Sequence, residues 1–189
     1  GIVLKVDSQS VTRAEGYHLT VTEKCINIVA HDASGAFYGI QTLLQLLPAE
    51  VHSALRQRNT TWQVAPIVIE DAPERPWRGM MLDVARHFFG LDFVKKQIDA
   101  MAYYKLNRLH IHLTDAAGWR IEIKKYPRLT NFAAWRSGKN WKEWWNGDRK
   151  YMEEGEEGAE GGYFTQDQCR EIVEYAKKHY ITVIPEIEM

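Results

Sequence analysis

Apolar and polar positions alternate through three short stretches near the start of the chain. Ile2–Val6, Tyr17–Val21 and Cys25–Val29 each read as a strand, separated by polar, turn-forming residues. In DASGAFYGIQTLLQLLP the period changes. Ala36, Ile40, Leu43, Leu44 and Leu47 follow helical spacing, Asp32 or Ser34 stands ready as N-cap, and Pro48 ends the element. Trp62–Ile69 predicts one further strand. Together these elements predict a small α+β layer with one main helix on an antiparallel or mixed sheet.

DAPERPW, Asp71 to Trp77, breaks the pattern, because its two prolines bar a continuous helix or a central strand. The expected domain boundary lies near residue 72, giving units 1–71 and 72–189. Beyond it the rhythm becomes strand, helix, strand, loop, helix, strand. Gly79–Val84 predicts a strand. Asp92 is placed to cap a helix whose Val94, Ile98, Met101 and Ala102 share a face, and Arg108–Thr114 predicts the next strand. TQDQ has the form of a reciprocal capping box, with Thr165 as N-cap and Gln168 three residues on. The helix after it carries Cys169, Ile172, Val173, Ala176 and Tyr180 in one stripe, and ITVIPEIEM reads as a third strand. Strands alternating with amphipathic helices predict a parallel sheet with right-handed crossovers. Three strands cannot close a barrel. The expectation is an α/β chain, a small α+β domain followed by the first three β/α units of a truncated TIM (β/α)8 barrel.

The candidate chemistry sits in LNRLHIHLTDAAGWRIEI. Alternation along a strand puts His110, His112 and Thr114 on one face, and Leu109, Ile111 and Leu113 on the other. In a barrel the leucine/isoleucine face packs under the helices and the histidine face points inward. Two such imidazoles suit a metal, as in a metal-dependent TIM-barrel hydrolase using His110 and His112. Two histidines bonded to other barrel residues give the same sequence, and no further ligand is specified by spacing. Asp115 falls just past the strand's C-terminal end, where barrel enzymes carry their working groups. An aspartate satisfying turn amides is the plain alternative.

Composition removes several function classes. A net charge of −1 offers no electrostatic case for nucleic acid, and no apolar run approaches the roughly 20 residues of a membrane span. Cys25 and Cys169 are read as buried free thiols, too far apart for a disulfide framework or zinc site. The segment from Asn131 to Gly162 is long for a connection. Its WRSGKNWKEWW part offers aromatic faces to a sugar or to the barrel mouth. Its EEGEEGAEGG part is read as a mobile, solvated loop, with mobility expected from Glu153 to Gly161.

Four segments resemble, in order, the β-N-acetylhexosaminidases of glycoside hydrolase family 20: GAFYGIQTLLQLL, RPWRGMMLDVARHFF, LNRLHIHLTDAAGWRIEIKKYPRLT and GGYFTQDQCREIVEYAKKHYITVIPEIEM. The resemblance implies an α+β domain before a (β/α)8 barrel with its active site at the strands' C-terminal ends. It implies a terminal N-acetylhexosamine of an oligosaccharide or glycoconjugate as substrate, no cofactor, no metal, and a location outside the cytoplasm or in lysosomes. Within it, Arg78 matches the arginine that grips the sugar hydroxyls, and Asp115 the carboxylate that supports the catalytic acid through a histidine. Asp83, Arg86 and His87 are expected to fix the first barrel loop. His112, Glu186 and Glu188 are expected behind the groups that touch substrate. One departure stands out: Ala116 and Ala117 follow Asp115 where the family commonly has a second acidic residue and Gln. A carbohydrate-binding paralogue without catalysis is the remaining rival.

Most retaining glycosidases use two protein carboxylates, one of them a nucleophile, and this family is among the substrate-assisted exceptions. The resemblance implies attack by the substrate's acetamido oxygen, already tethered to the reacting ring. An Asp orients that group and the adjacent Glu serves as acid and then base. Residues 1–189 contain no Asp-Glu dipeptide. The expectation is that this pair lies beyond Met189 and that the 189 residues alone are inactive.

Overall fold

The computed structural model describes residues 1–55 and 58–188. The chain divides into two compact units, Gly1–Pro76 and Trp77–Met189.

In the first unit, β1 (Ile2–Val6), β2 (Tyr17–Val21), β3 (Ile26–Ala30) and β4 (Ile67–Asp71) form a sheet of order β1-β3-β2-β4. β1 runs parallel to β3, and β2 is antiparallel to β3 and β4, so the sheet is mixed. Helix α1 (Ala33–Leu46) begins at Asp32, whose carboxylate accepts from Gly35 N (2.8 Å) and Ser34 Oγ (2.6 Å). Alternate β2 residues Tyr17, Leu19 and Val21 pack with Ile28 and Ala30 of β3 and with Ala36, Tyr38 and Leu43 of α1. The last strand is shorter and later than Trp62–Ile69. β2 offers partners only to Ile67–Asp71, and Pro66 has no N–H to give. Cys25 lies in a turn closed by Thr22 rather than in a strand. Both Cys25 and Cys169 are half-buried, not buried.

The second unit is built on β5 (Gly79–Asp83), β6 (Arg108–His112) and β11 (Thr182–Glu186), a parallel sheet of order β11-β6-β5. Helix α2 (Leu91–Tyr103) links β5 to β6. Between β6 and β11 come a two-residue-strand hairpin, β7 (Thr114–Asp115) and β8 (Gly118–Trp119), then α3 (Arg128–Asn131), β9 (Trp135–Arg136), α4 (Trp141–Asn146), β10 (Glu160–Gly161) and α5 (Gln166–Lys178). Leu109, Ile111 and Leu113 are buried, as are Val94, Ile98, Met101 and Ala102 of α2 and Ile172 and Ala176 of α5. Val173 and Tyr180, expected in the same stripe, are exposed. Lys95 to Glu171 and Tyr175 to Asp99 tie α2 to α5.

Two caps differ in outcome. Thr165 and Gln168 exchange both hydrogen bonds of a capping box (3.2 and 2.9 Å). Helix α2 is preceded by Gly90 with no side-chain cap, and Asp92 lies inside the first turn, where its charge faces the positive end of the helix dipole.

The acidic stretch is folded. Glu154 N donates to Asn131 O (2.7 Å), turns close at Glu156 and Ala159, and Glu160–Gly161 pairs with Trp135–Arg136. Glu153–Gly158 and Glu160 are exposed, as composition suggests, while backbone bonds to Asn131 and β9 give the stretch a defined path.

Candidate active site

Sheet register decides which side chains meet. Asp83, His112 and Glu186 are Cα partners in one row at the C-terminal edge of the three strands, whereas Gly79, Arg108 and Thr182 make the row at the opposite edge. The first row is where a parallel sheet presents working groups. His112 Nδ1 lies 2.8 Å from Glu186 Oε2, and His110 Nε2 lies 2.6 Å from the same oxygen. His112 Nε2 is 3.2 Å from Asp115 Oδ2. Arg86, in the loop leaving β5, closes the chain, with Nη2 2.6 Å from Asp115 Oδ2 and Nη1 2.6 Å from Asp83 Oδ2.

Asp115 owes its place to the hairpin. Asp115 pairs with Gly118, so Ala116 and Ala117 are the turn residues, and Asp115 Oδ1 accepts from Ala116 N (2.6 Å). Ala116 is exposed and its carbonyl accepts from the Tyr151 hydroxyl; Ala117 is buried. Glu188 is held through its backbone, which both donates to and accepts from Thr114 Oγ1.

The electrostatics follow the geometry. Burial works against a charged His112, but hydrogen bonds to Glu186 and Asp115 overcome it and raise the imidazole above its ordinary value. The same bond from His112 lowers Glu186. Asp83 is lowered as well, since Arg86 outweighs the cost of its burial. His112 thus sits between two carboxylates that favour its protonated form. Its raised folded pKa gives stability that is fully present below the reference value of 6.5 and is lost as pH rises through the folded value. The urea midpoint is expected to fall from pH 6.5 upward, with a shallower fall in Glu186→Gln. Equal slopes in the two proteins would show that His112 is not held this way.

One expectation is corrected. Arg78 immediately precedes β5 and so lies at the N-terminal edge, roughly 16 Å of strand from Asp83. Its Nε donates to Lys105 O (2.7 Å) and its N–H to Asn107 Oδ1 (3.0 Å). It does not converge with Asp115; Arg86 does. Arg78 and Arg86 therefore stand at opposite ends of β5. The two imidazoles named for a metal have other partners in this structure. Both imidazoles are engaged by Glu186, and the second nitrogen of His112 by Asp115. His112, Asp115 and Glu188 do bring donor atoms within 4.8 Å of one another, but Asp115 there already carries the Arg86 guanidinium.

Sequence reasoning gave Arg136 and Tyr151 no part, and Arg120 only a place in the matching GWR motif. An arginine inside a largely apolar strand-like run, as in GWRIEI, is the signal that marks Arg120.

The profile of "Glycosyl hydrolase family 20, catalytic domain" matches residues 76–189, and that of the family's domain 2 matches residues 1–72. The chain belongs to glycosyl hydrolase family 20. A β-hexosaminidase of Porphyromonas gingivalis is 45% identical over 188 residues, which is 100% of this chain and 22% of that protein. One from Vibrio furnissii is 43% identical over 92% of this chain and 26% of its own length. Among solved structures, a mutant Streptomyces plicatus β-hexosaminidase in complex with product (GlcNAc) superposes with a TM-score of 0.81 at 42% identity, covering 100% of this chain and 34% of that one. The GH20 exo-β-N-acetylglucosaminidase from Vibrio harveyi in complex with N-acetylglucosamine gives 0.80 at 38%, covering 98% and 27%. The chain thus spans about a quarter of the length of the curated relatives it matches. Its family-20 neighbours imply a TIM-barrel-type glycosidase fold, of which these residues are part. Among the described residues no helix is long and apolar enough to cross a membrane.

Proposed function

We propose that the protein containing these residues removes terminal non-reducing N-acetylhexosamine from oligosaccharides or glycoconjugates by a retaining, substrate-assisted mechanism. The second unit is read as the first three β/α units of the barrel. The observation that carries the proposal is the Glu186–His112–Asp115–Arg86–Asp83 chain along the C-terminal edge of a parallel sheet. Arg86 is its exposed link. The side chain is 46% exposed, with two donors committed to Asp83 and Asp115 and the rest of the planar fork available to vicinal hydroxyls.

In this reading Arg86 grips the non-reducing sugar, held in place by Asp83 and Asp115. His112, fixed from behind by Glu186, keeps Asp115 oriented. The nucleophile is the substrate's acetamido oxygen. Residues 1–189 have no Asp-Glu dipeptide, so the acetamido-orienting Asp and the acid Glu are assigned to the rest of the protein.

The test is turnover of a chromogenic N-acetylglucosaminide by the full-length protein and by residues 1–189. The full-length protein is expected to turn over, unaffected by a chelator, and the 189 residues to be slower by about a thousandfold or more, the scale of losing acid catalysis and part of the site. Equal rates would refute the division of the site. Chelator-sensitive turnover would refute the metal-free mechanism, and an inert full-length protein would favour a binding paralogue.

A further inference from the structure

Arg120 and Arg136 are 0% and 3% exposed, and among the described residues their guanidiniums are held by backbone carbonyls rather than by carboxylates. Arg120 donates through Nε to Val84 O (3.0 Å), through Nη2 to Ala85 O (2.8 Å) and Ala117 O (3.4 Å), and through Nη1 to Gly162 O (3.0 Å) and Ala134 O. Arg136 donates through Nη2 to Arg86 O (2.6 Å) and through Nη1 to Ala117 O (3.1 Å).

The acceptors fall into a pattern. Val84, Ala85 and Arg86 are successive carbonyls of the loop that carries the Arg86 side chain. Ala117 belongs to the hairpin that carries Asp115, and it accepts from both arginines. Ala134 directly precedes β9 and Gly162 directly follows β10, the paired ends of the excursion between those strands. One buried pair therefore joins the two segments whose side chains meet at the Arg86–Asp115 contact.

Burying two like charges side by side is costly. Burial and the charge of Arg136 hold Arg120 down at about 10, still charged at neutral pH. An apolar filling would avoid that cost, but it would not fix carbonyl positions; a rigid planar fork does. Two glycines make room for it. A Cβ at Gly118 would stand 2.3 Å from Arg120 Cζ, and one at Gly162, whose φ is +149, would stand 2.4 Å from the Phe88 ring beneath Arg120.

We propose that Arg120 and Arg136 are positioning residues for the glycosidase reaction: by gripping the carbonyls of Val84 to Arg86 and of Ala117, they set the Arg86 guanidinium against Asp115. The proposal rests on the reading of Arg86 as the sugar-gripping group.

A double-mutant cycle on the full-length protein separates positioning from general support. Arg136→Lys keeps a charge and one donor direction but loses the fork. It is expected to lower kcat/KM for the chromogenic N-acetylglucosaminide about tenfold in the wild-type background, and less than about twofold once Arg86 is alanine. Gly118→Ala, which crowds Arg120 without removing it, is the second variant and is expected to show the same dependence on Arg86. Circular dichroism confirms that each variant compared is folded. Equal fold-losses in both backgrounds, or no loss from either variant, overturn the positioning role. If Arg86→Ala alone leaves kcat/KM unchanged, it is the reading of Arg86 that fails, and the positioning role goes with it.

Discussion

Arg86→Ala in the full-length protein is expected to lower kcat/KM on an N-acetylglucosaminide by about 100- to 1,000-fold, while Arg78→Ala changes it by less than about threefold. The size follows from the bonds lost. Charge-assisted hydrogen bonds to sugar hydroxyls contribute roughly 1.5–3 kcal/mol each, and about 1.4 kcal/mol is tenfold in rate. Losing two such bonds, and leaving Asp83 and Asp115 without their shared cation, reaches that range. Arg78 lies at the other edge of the sheet, on Lys105 O. Its loss is expected to appear as about 1 kcal/mol of stability, seen in the urea midpoint rather than in catalysis. Steady-state kinetics on the two variants side by side decide the matter, and a larger loss from Arg78→Ala would reverse the assignment.

Asp115→Asn is expected to lower kcat about 100-fold with a smaller change in KM. Asparagine keeps the shape but removes the charge that binds Arg86 at 2.6 Å and His112 at 3.2 Å. Asp115 is also one of the groups that raise His112. Without it the imidazole loses its proton at lower pH, so the alkaline limb of the pH–rate profile is expected to move toward acid. A variant with wild-type kcat would remove Asp115 from the machinery. A slowed variant whose alkaline limb stays in place would separate Asp115 from His112.

What the sequence disclosed depends on how local the cause was. The faces of Arg108–Thr114 were legible because strand alternation is a local rule, and Leu109, Ile111 and Leu113 are buried while the histidine face meets Glu186. The Thr165 capping box was legible for the same reason. Arg78 and Arg86 flank a single strand, and a motif match does not separate them. Strand direction does, since Asp115 follows the end of β6 and its partner must follow the end of β5. Arg120 and Arg136 were hidden because their acceptors come from four separate stretches of backbone, which no spacing rule encodes. In EEGEEGAEGG composition reports side-chain polarity, and most of the stretch is exposed, whereas its path is set by backbone bonds to Asn131 and to β9, which composition does not encode.

The central claim, that Arg86 held by Asp115 forms the sugar-gripping edge of the site, is tested most directly by a crystal structure of the full-length protein with N-acetylglucosamine bound. The account predicts the Arg86 guanidinium within hydrogen-bonding distance of the sugar's ring hydroxyls while still paired to Asp115. A sugar bound well away from Arg86, or seated at the edge that carries Arg78, would contradict it.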